Sequence, residues 1–430
     1  MQMEREALAG LRREQGDEAV GLVEAALSAL TGEDGLEAIT ALRLCEFLWD
    51  TLPTTWLVDD PERVTTALGR FFTLVGLDRY AGICTSATTR DLMAVYAIEG
   101  TDAGRDAYRA ALHETGLIPP DTGVLAWGDF SGAQESAAHH AASAAIELAI
   151  ASGDLRVGAR GWEKRRAAVV ERHLTAPRPG GSWLERVHAE RLATWTRPRN
   201  RRRAELCRAV VSQLREPVIA PPGAFTLLRW LLDKAADGLP LTERHYIIPR
   251  LVTEAVDLFG WRELLAGTLT REFDVFPLQS IRELATREMK AVRRTGKQLV
   301  LTPLGRRMLA DETLLWNTAV SAVIGQGHAF TVTAREVMLM LLTVHGPMNA
   351  EDLERDTVEV LGQEWDTSGG LAQSVREELA VLRHRLWALD CHHPARSFDA
   401  PFALTSQGAV AARAALRAHA LRPRHAPGLD

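Results

Sequence analysis

A mainly α-helical chain, with a helical N-terminal domain followed by tandem winged-helix-like units, is the fold that the sequence predicts. Three observations carry that expectation. Apolar residues recur at helical intervals along most of the 430 residues, beginning with Leu8, Leu11, Val20, Val23, Leu27 and Leu30. Strand-like stretches are few and short, at 292–301, 387–391 and 402–404. A closing phrase occurs twice, as Leu301-Thr302-Pro303-Leu304-Gly305-Arg306 and as Leu404-Thr405-Ser406-Gln407-Gly408-Ala409, each time after a helix and strand pattern and before an Ala/Leu/Arg-rich helix.

The first helix is expected over 4–30, broken near Gly16, with a turn from Thr31 to Gly35. A second spans 36–52 and stops at Pro53, since proline disfavours helix in the residue before it. Asp59, Asp60, Pro61 and Glu62 open a third: aspartate caps free amides, proline fits the first turn and acid suits the dipole. Thr88 or Thr89 caps the next, and another spans 101–115. An alanine-rich helix over 131–152 ends at Gly153 and Asp154. A basic segment from Val157 becomes helical to about Leu174, Pro177 and Pro179 break it, and Ser182 with Glu185 forms a capping box for 183–195. The arginine run from Arg197 to Arg203 follows, read as a solvated linker, a strap against the acidic front half, or a phosphate anchor.

Pro217, Pro221, Pro222 and Gly223 mark the sharpest boundary. Beyond it, helices over 225–236, 248–259 and 278–290 precede a hairpin that turns at Thr295 and Gly296, then the first closing phrase. The second copy restarts at Thr333 or Ala334, with helices over 335–344, 350–361 and 371–386, a strand at 387–391 and a return strand at 402–404. Helix, turn, helix, longer helix, hairpin and closing helix is the winged-helix order. The expected domains are an acidic helical domain at 1–155, a basic helical connector at 156–216, and winged-helix-like units at 217–328 and 329–422.

Composition agrees with a soluble globular chain of two or three domains: 46% hydrophobic and 25% charged residues. The polar start, Met1 to Glu6, lacks the basic and then apolar order of a secretory signal, and the most apolar run, 141–151, is too short to span a bilayer. A cytoplasmic location without membrane contact is the expectation. Cys45, Cys84, Cys207 and Cys391 lie far apart, which argues against a zinc ribbon or a disulfide framework. The net charge of −6 hides an asymmetry, because residues 1–155 hold 10 basic and 25 acidic side chains while 156–208 hold 15 and 5. A basic middle beside an acidic front suits either an anionic partner or the acidic half itself.

Several phrases resemble an uncharacterised actinobacterial family with a helical front half and winged-helix-like units behind. They are Leu227-Leu228-Arg229-Trp230, Leu239-Pro240-Leu241-Thr242, the first closing phrase, Leu309-Ala310-Asp311 and Leu314-Leu315-Trp316, with 157–162 and 188–192 further forward. They cover about a quarter of the chain. The resemblance implies a fold and no activity.

In a DNA-binding winged helix the third helix enters the major groove and the wing touches phosphate. The first copy offers Gln279, Ser280, Arg282, Arg287 and Lys290 on that helix, and Arg293, Arg294 and Lys297 on the hairpin. The second offers Gln373, Ser374, Arg376 and Arg383, with Arg396 on its wing. Arg199, Arg201, Arg202 and Arg203 of the arginine run are further phosphate candidates. Glu283, Glu288, Glu377 and Glu378 on the same helices oppose a phosphate backbone. The expected function is therefore DNA binding or transcription regulation through tandem helix-turn-helix units on double-stranded DNA. The alternative is a non-enzymatic scaffold whose winged units bind a protein partner.

Catalytic motifs are absent: there is no phosphate-binding Gly-x-x-x-x-Gly-Lys, no Gly-x-Ser-x-Gly, and Gly325-Gln326-Gly327 lacks the third glycine of a dinucleotide loop. Glu135 with His139, and Cys391-His392-His393, supply metal-ligand types without a second set, so hydrogen-bonded or exposed histidines are expected there. No cofactor is expected and no enzyme activity.

Overall fold

The computed structural model describes residues 2–32, 35–56, 60–129, 131–365, 370–392 and 401–424. It is mainly helical with a small three-stranded antiparallel sheet. The chain divides into two compact units, Met1–Glu190 with Pro423–Asp430, and Arg191–Arg422. The division falls inside the stretch 156–216 that the sequence sets apart as a connector.

In the first unit, α1 (Gln2–Thr31), α2 (Ala41–Glu46), α3 (Leu52–Thr55), α4 (Pro61–Leu74), α5 (Asp78–Cys84), α6 (Ala87–Glu99) and α7 (Thr101–Glu114) close over one apolar cluster containing Leu48, Trp49, Phe71 and Phe72. Helices α8 (Ala133–Ala151) and α9 (Trp162–Thr175), with Val187 of α10 (Trp183–Trp195), enclose a second around Ile146, Leu155 and Val170. Gly16 kinks α1 at φ 87°, and Asp60 caps α4 by accepting from Glu62 N at 3.0 Å. The Ser182 and Glu185 box forms, with Glu185 accepting from Ser182 N at 2.7 Å.

Two local expectations are corrected. The stretch 36–52 is not one helix, because Thr40 accepts from Arg43 N at 3.2 Å and starts α2 there. Pro53 does not end it either. A π turn at Phe47–Thr51 intervenes, closed by Leu52 N donating to Phe47 O, so the proline falls in the first turn of α3, where a missing N–H costs little. The cap of α6 is Ser86, which accepts from Thr89 N at 3.1 Å, in place of Thr88 or Thr89.

The second unit begins with the end of α10 and continues with α11 (Arg201–Val210), α12 (Thr226–Ala236), β1 (Leu239–Pro240), α13 (Pro249–Leu258) and α14 (Phe276–Glu283). A π turn at Leu284–Glu288 extends α14, followed by β2 (Val292–Thr295), β3 (Gln298–Leu301), α15 (Pro303–Ala310) and α16 (Glu312–Ile324). The sheet order is β1-β3-β2, with Leu239 opposite Leu299 and Val292 opposite Leu301. Next come α17 (Ala329–His345), α18 (Ala350–Leu361), α19 (Leu371–Ala388) and α20 (Ser406–Ala420). Isolated bridges, Met348 to Phe402 and His392 to Leu404, stand where the first copy has its strands. The strand expected at 387–391 is the end of α19 and its exit turn, because the apolar stripe of Leu382 and Leu386 runs on to buried Ala388 and Leu389. One continuous apolar cluster serves the whole unit, from Leu192 to Ala420.

The two closing phrases make the same hydrogen bonds. Thr302 Oγ1 donates to Lys290 O at 2.8 Å and accepts from Gly305 N at 3.1 Å. Thr405 Oγ1 donates to Asp390 O at 2.9 Å and accepts from Gly408 N at 2.8 Å. Their amides donate to Ala291 O and Cys391 O at 2.9 and 3.1 Å. Lys290 and Asp390 both take left-handed backbone, φ 53° and 55°. In each copy the threonine ties the end of the third helix to the start of the closing helix, and the glycine leaves room for a carbonyl where Cβ would lie.

Candidate functional site

The last three arginines of the run, Arg201 to Arg203, form the first turn of α11, and Arg197 and Arg199 precede it. Asn200 caps it, accepting from Arg203 N at 3.0 Å, while Asn200 Nδ2 donates to Val360 O at 2.7 Å. The second of these bonds ties the start of the helix to the end of α18 in the second copy. Arg199 is exposed, Arg201 pairs with Glu205 at 3.2 Å within its own helix, and Arg202 pairs with Glu359. Arg203 turns inward to Glu336 at 2.6 Å and Glu364 at 3.4 Å.

Glu336 is completely buried and is held by three groups. Arg203 is joined by Trp195 Nε1, which donates at 2.5 Å, and by His419 at 3.4 Å. Burial alone would raise the Glu336 pKa, but His419, Arg203 and Trp195 together bring it down to about 2. Such a site is a hub for α10, α11, α17 and α20, and leaves Arg203 no freedom to reach a phosphate. Sequence reading missed it because nothing local marks a partner 133 residues away.

The third helices of the two copies, α14 and α19, pack on each other. Phe276 stacks on His384 with centroids 5.3 Å apart and planes at 6°, and Arg385 reaches Glu288 at 2.7 Å. Between them lies a cleft of about 310 Å³ lined by Ser280, Glu283, Arg287, Glu288, Val381 and Arg385. His384 is held below its ordinary value by burial and by Arg383 beside it. A packed helix pair is about 20 Å wide, against about 12 Å for a major groove, so the pair does not enter one together.

Three arginines converge at the floor of this junction, on the C-terminus of α16. Arg335 donates to Ile324 O at 3.1 Å, Arg385 to Ala322 O at 2.8 Å and Arg422 to Gly325 O at 2.8 Å. They satisfy the free carbonyls and the negative end of the helix dipole. Arg335 also pairs with Glu378 at 2.8 Å, so one of the acidic residues expected to oppose DNA has a structural partner. Gly325-Gln326-Gly327 is the turn that follows, with Gln326 N donating to Glu288 at 3.2 Å.

The remaining candidates separate into paired and open groups. Arg282 pairs with fully buried Glu272 at 2.5 Å and donates to His245 O at 2.9 Å, and Glu272 accepts from Ile247 N at 2.6 Å, which together fix the turn that leads into α13. Arg287 pairs with Glu283, Arg376 with Glu354 at 2.8 Å, Gln373 with Glu377 at 2.8 Å, and Lys297 with Glu243. Arg383 lies half-buried over the Phe402 ring at 5.3 Å, and burial lowers its pKa. Gln279 and Ser280 of the first copy and Ser374 of the second are half-buried. Lys290, Arg293 and Arg294 are exposed with no carboxylate partner among the described residues. Asp59, His393 and Arg396 lie outside the described residues.

In the first unit, Glu135 Oε1 accepts from Gly128 N at 3.3 Å, and His139 stands edge-on to Trp127 at 5.0 Å. Burial and neighbouring His140 push His139 down to about 4. Among the described residues no group of three metal-ligand side chains converges, and no helix is long and apolar enough to cross a membrane. Comparison with protein-family models, curated proteins and solved structures finds no match.

Proposed function

We propose that the second unit is a tandem of winged-helix-like modules joined through their third helices, and that the protein is a non-enzymatic regulatory scaffold that engages a protein partner. The packing of α14 on α19 carries this reading, since each helix occupies a flank that the other would need in a major groove. The equivalent closing turns and the β1-β3-β2 order support the winged-helix assignment. Exposed Val381 in the cleft lining and exposed Phe276, stacked on His384 of that lining, are apolar surface of the kind that partner proteins cover.

A second reading has its own support. Lys290, Arg293 and Arg294 form an open basic wing suited to the phosphates of double-stranded DNA. Titration of a labelled duplex across a salt series separates the two. The scaffold reading expects at most weak, steeply salt-dependent binding that is lost in the R293A/R294A variant. Sequence-specific binding that depends on Gln279 or Gln373 overturns it. Recovery of partners from the native host, with and without nuclease, checks the same point: the scaffold reading expects nuclease-resistant protein partners.

A further inference from the structure

The closing helices carry a second repeated feature. In the first copy a groove of about 490 Å³ runs between the end of α12, the end of β3 and α15, lined by Ala236, Leu301, Arg306, Leu309 and Ala310. In the second a groove of about 330 Å³ runs between the end of α17, α20 and the turn after α11, where Leu342, Thr343, Leu404, Ala409, Arg413 and Gln213 line it. The two are equivalent in register. Leu301 and Leu404 each precede a closing threonine, and the pairings Leu239 to Leu299 and Met348 to Phe402 align the ends of the first helices.

Each groove is lined by a single charged side chain, Arg306 or Arg413, one turn apart on equivalent helices. Neither has a carboxylate partner among the described residues, and Arg306 has only a long contact to Leu301 O at 3.5 Å. A guanidinium with an open fork, set in an otherwise uncharged lining that is apolar in the first groove and adds Gln213 and Thr343 to apolar side chains in the second, is complementary to a carboxylate flanked by apolar side chains. A nucleic-acid strand fits less well, because each groove offers one phosphate contact and no aromatic ring on which to stack a base.

We propose that these grooves are paired docking sites for an acidic, apolar segment of a partner protein. The occupant being protein rests on the scaffold reading, but the grooves share no residue with the third-helix cleft or with the basic side chains of the wing, so each can fail alone. The probe is an acetylated peptide alternating leucine and aspartate, with its leucine and asparagine counterpart as control, titrated into the full chain by calorimetry. Two sites per chain are expected, with the asparagine peptide at least about tenfold weaker. R306E and R413E should each remove one site and the double variant both. A310W and A409W, which fill the grooves from exposed positions, should do the same without changing charge. Equal affinity for the two peptides, no saturable binding, or binding that survives in the double variant overturns the proposal.

Discussion

Gly305 and Gly408 stand where a methyl group has no room, because a carbonyl oxygen occupies the place of Cβ. Replacing either by alanine should destabilise the second unit by about 1–3 kcal/mol, the usual range for overpacking. Gly21, an exposed helical glycine with nothing near its Cβ position, should respond in the opposite direction, gaining about 0.5–1 kcal/mol as alanine. Urea midpoints of the three variants check both signs. The closing phrase was legible from sequence because threonine cap and glycine act within a few residues of each other. Glu336 was not, since its three partners come from distant parts of the chain. Its carboxyl is held down to about 2, below an ordinary value of 4.5. The stabilisation is therefore complete above pH 4.5 and is lost as pH falls towards 2. E336Q should cost about 3 kcal/mol at neutral pH by leaving Arg203 with Glu364 as its one carboxylate, at 3.4 Å, and its acid unfolding should lose slope in that window.

At the scale of the element, the C-terminus of α16 depends on side chains brought from α17, α19 and the segment after α20. Arg385 is the one that also bridges the third helices. R385A should open the last turn of α16 and loosen α14 from α19, and R385K should rescue little, because a compact ammonium cannot span the Ala322 carbonyl and the Glu288 carboxylate as the planar guanidinium fork does. Hydrogen exchange reads this directly: amides near 321–325 and 284–288 should lose protection in both variants while those of α1 do not change. Protection retained in R385K would show that charge alone suffices. The helices themselves were legible from apolar spacing and caps. Their pairing was not, because an amphipathic stripe says that a face is covered and does not say by which partner. The arginine run misled for the same reason, as its charge suggested solvent while Asn200 was already placed to cap a helix.

At the scale of the molecule, the apolar cluster of the second unit runs without a break through both repeats and includes Cys207 and Val210 of α11. A repeat that shares its core with a neighbour leaves apolar surface open when separated. The prolines near 217–223 and the join near 328 look like boundaries in sequence, yet the core crosses both. Fragments 217–328 and 329–424 should each fail to fold alone, with poor amide dispersion in NMR spectra. Fragment 191–424 should fold cooperatively. Fragment 217–424 is the sharper test, since it keeps both repeats but removes Trp195 and Arg203, leaving Glu336 buried beside His419 only. It should be less stable than 191–424 by at least about 3–5 kcal/mol at neutral pH, the range for breaking a buried ion pair, to which the lost burial of Cys207 and Val210 adds. Adding E336L to it should recover part of that loss, because the uncompensated carboxylate is then gone. Equal stability of the two fragments would mean that α11 is an accessory and that the core closes without it.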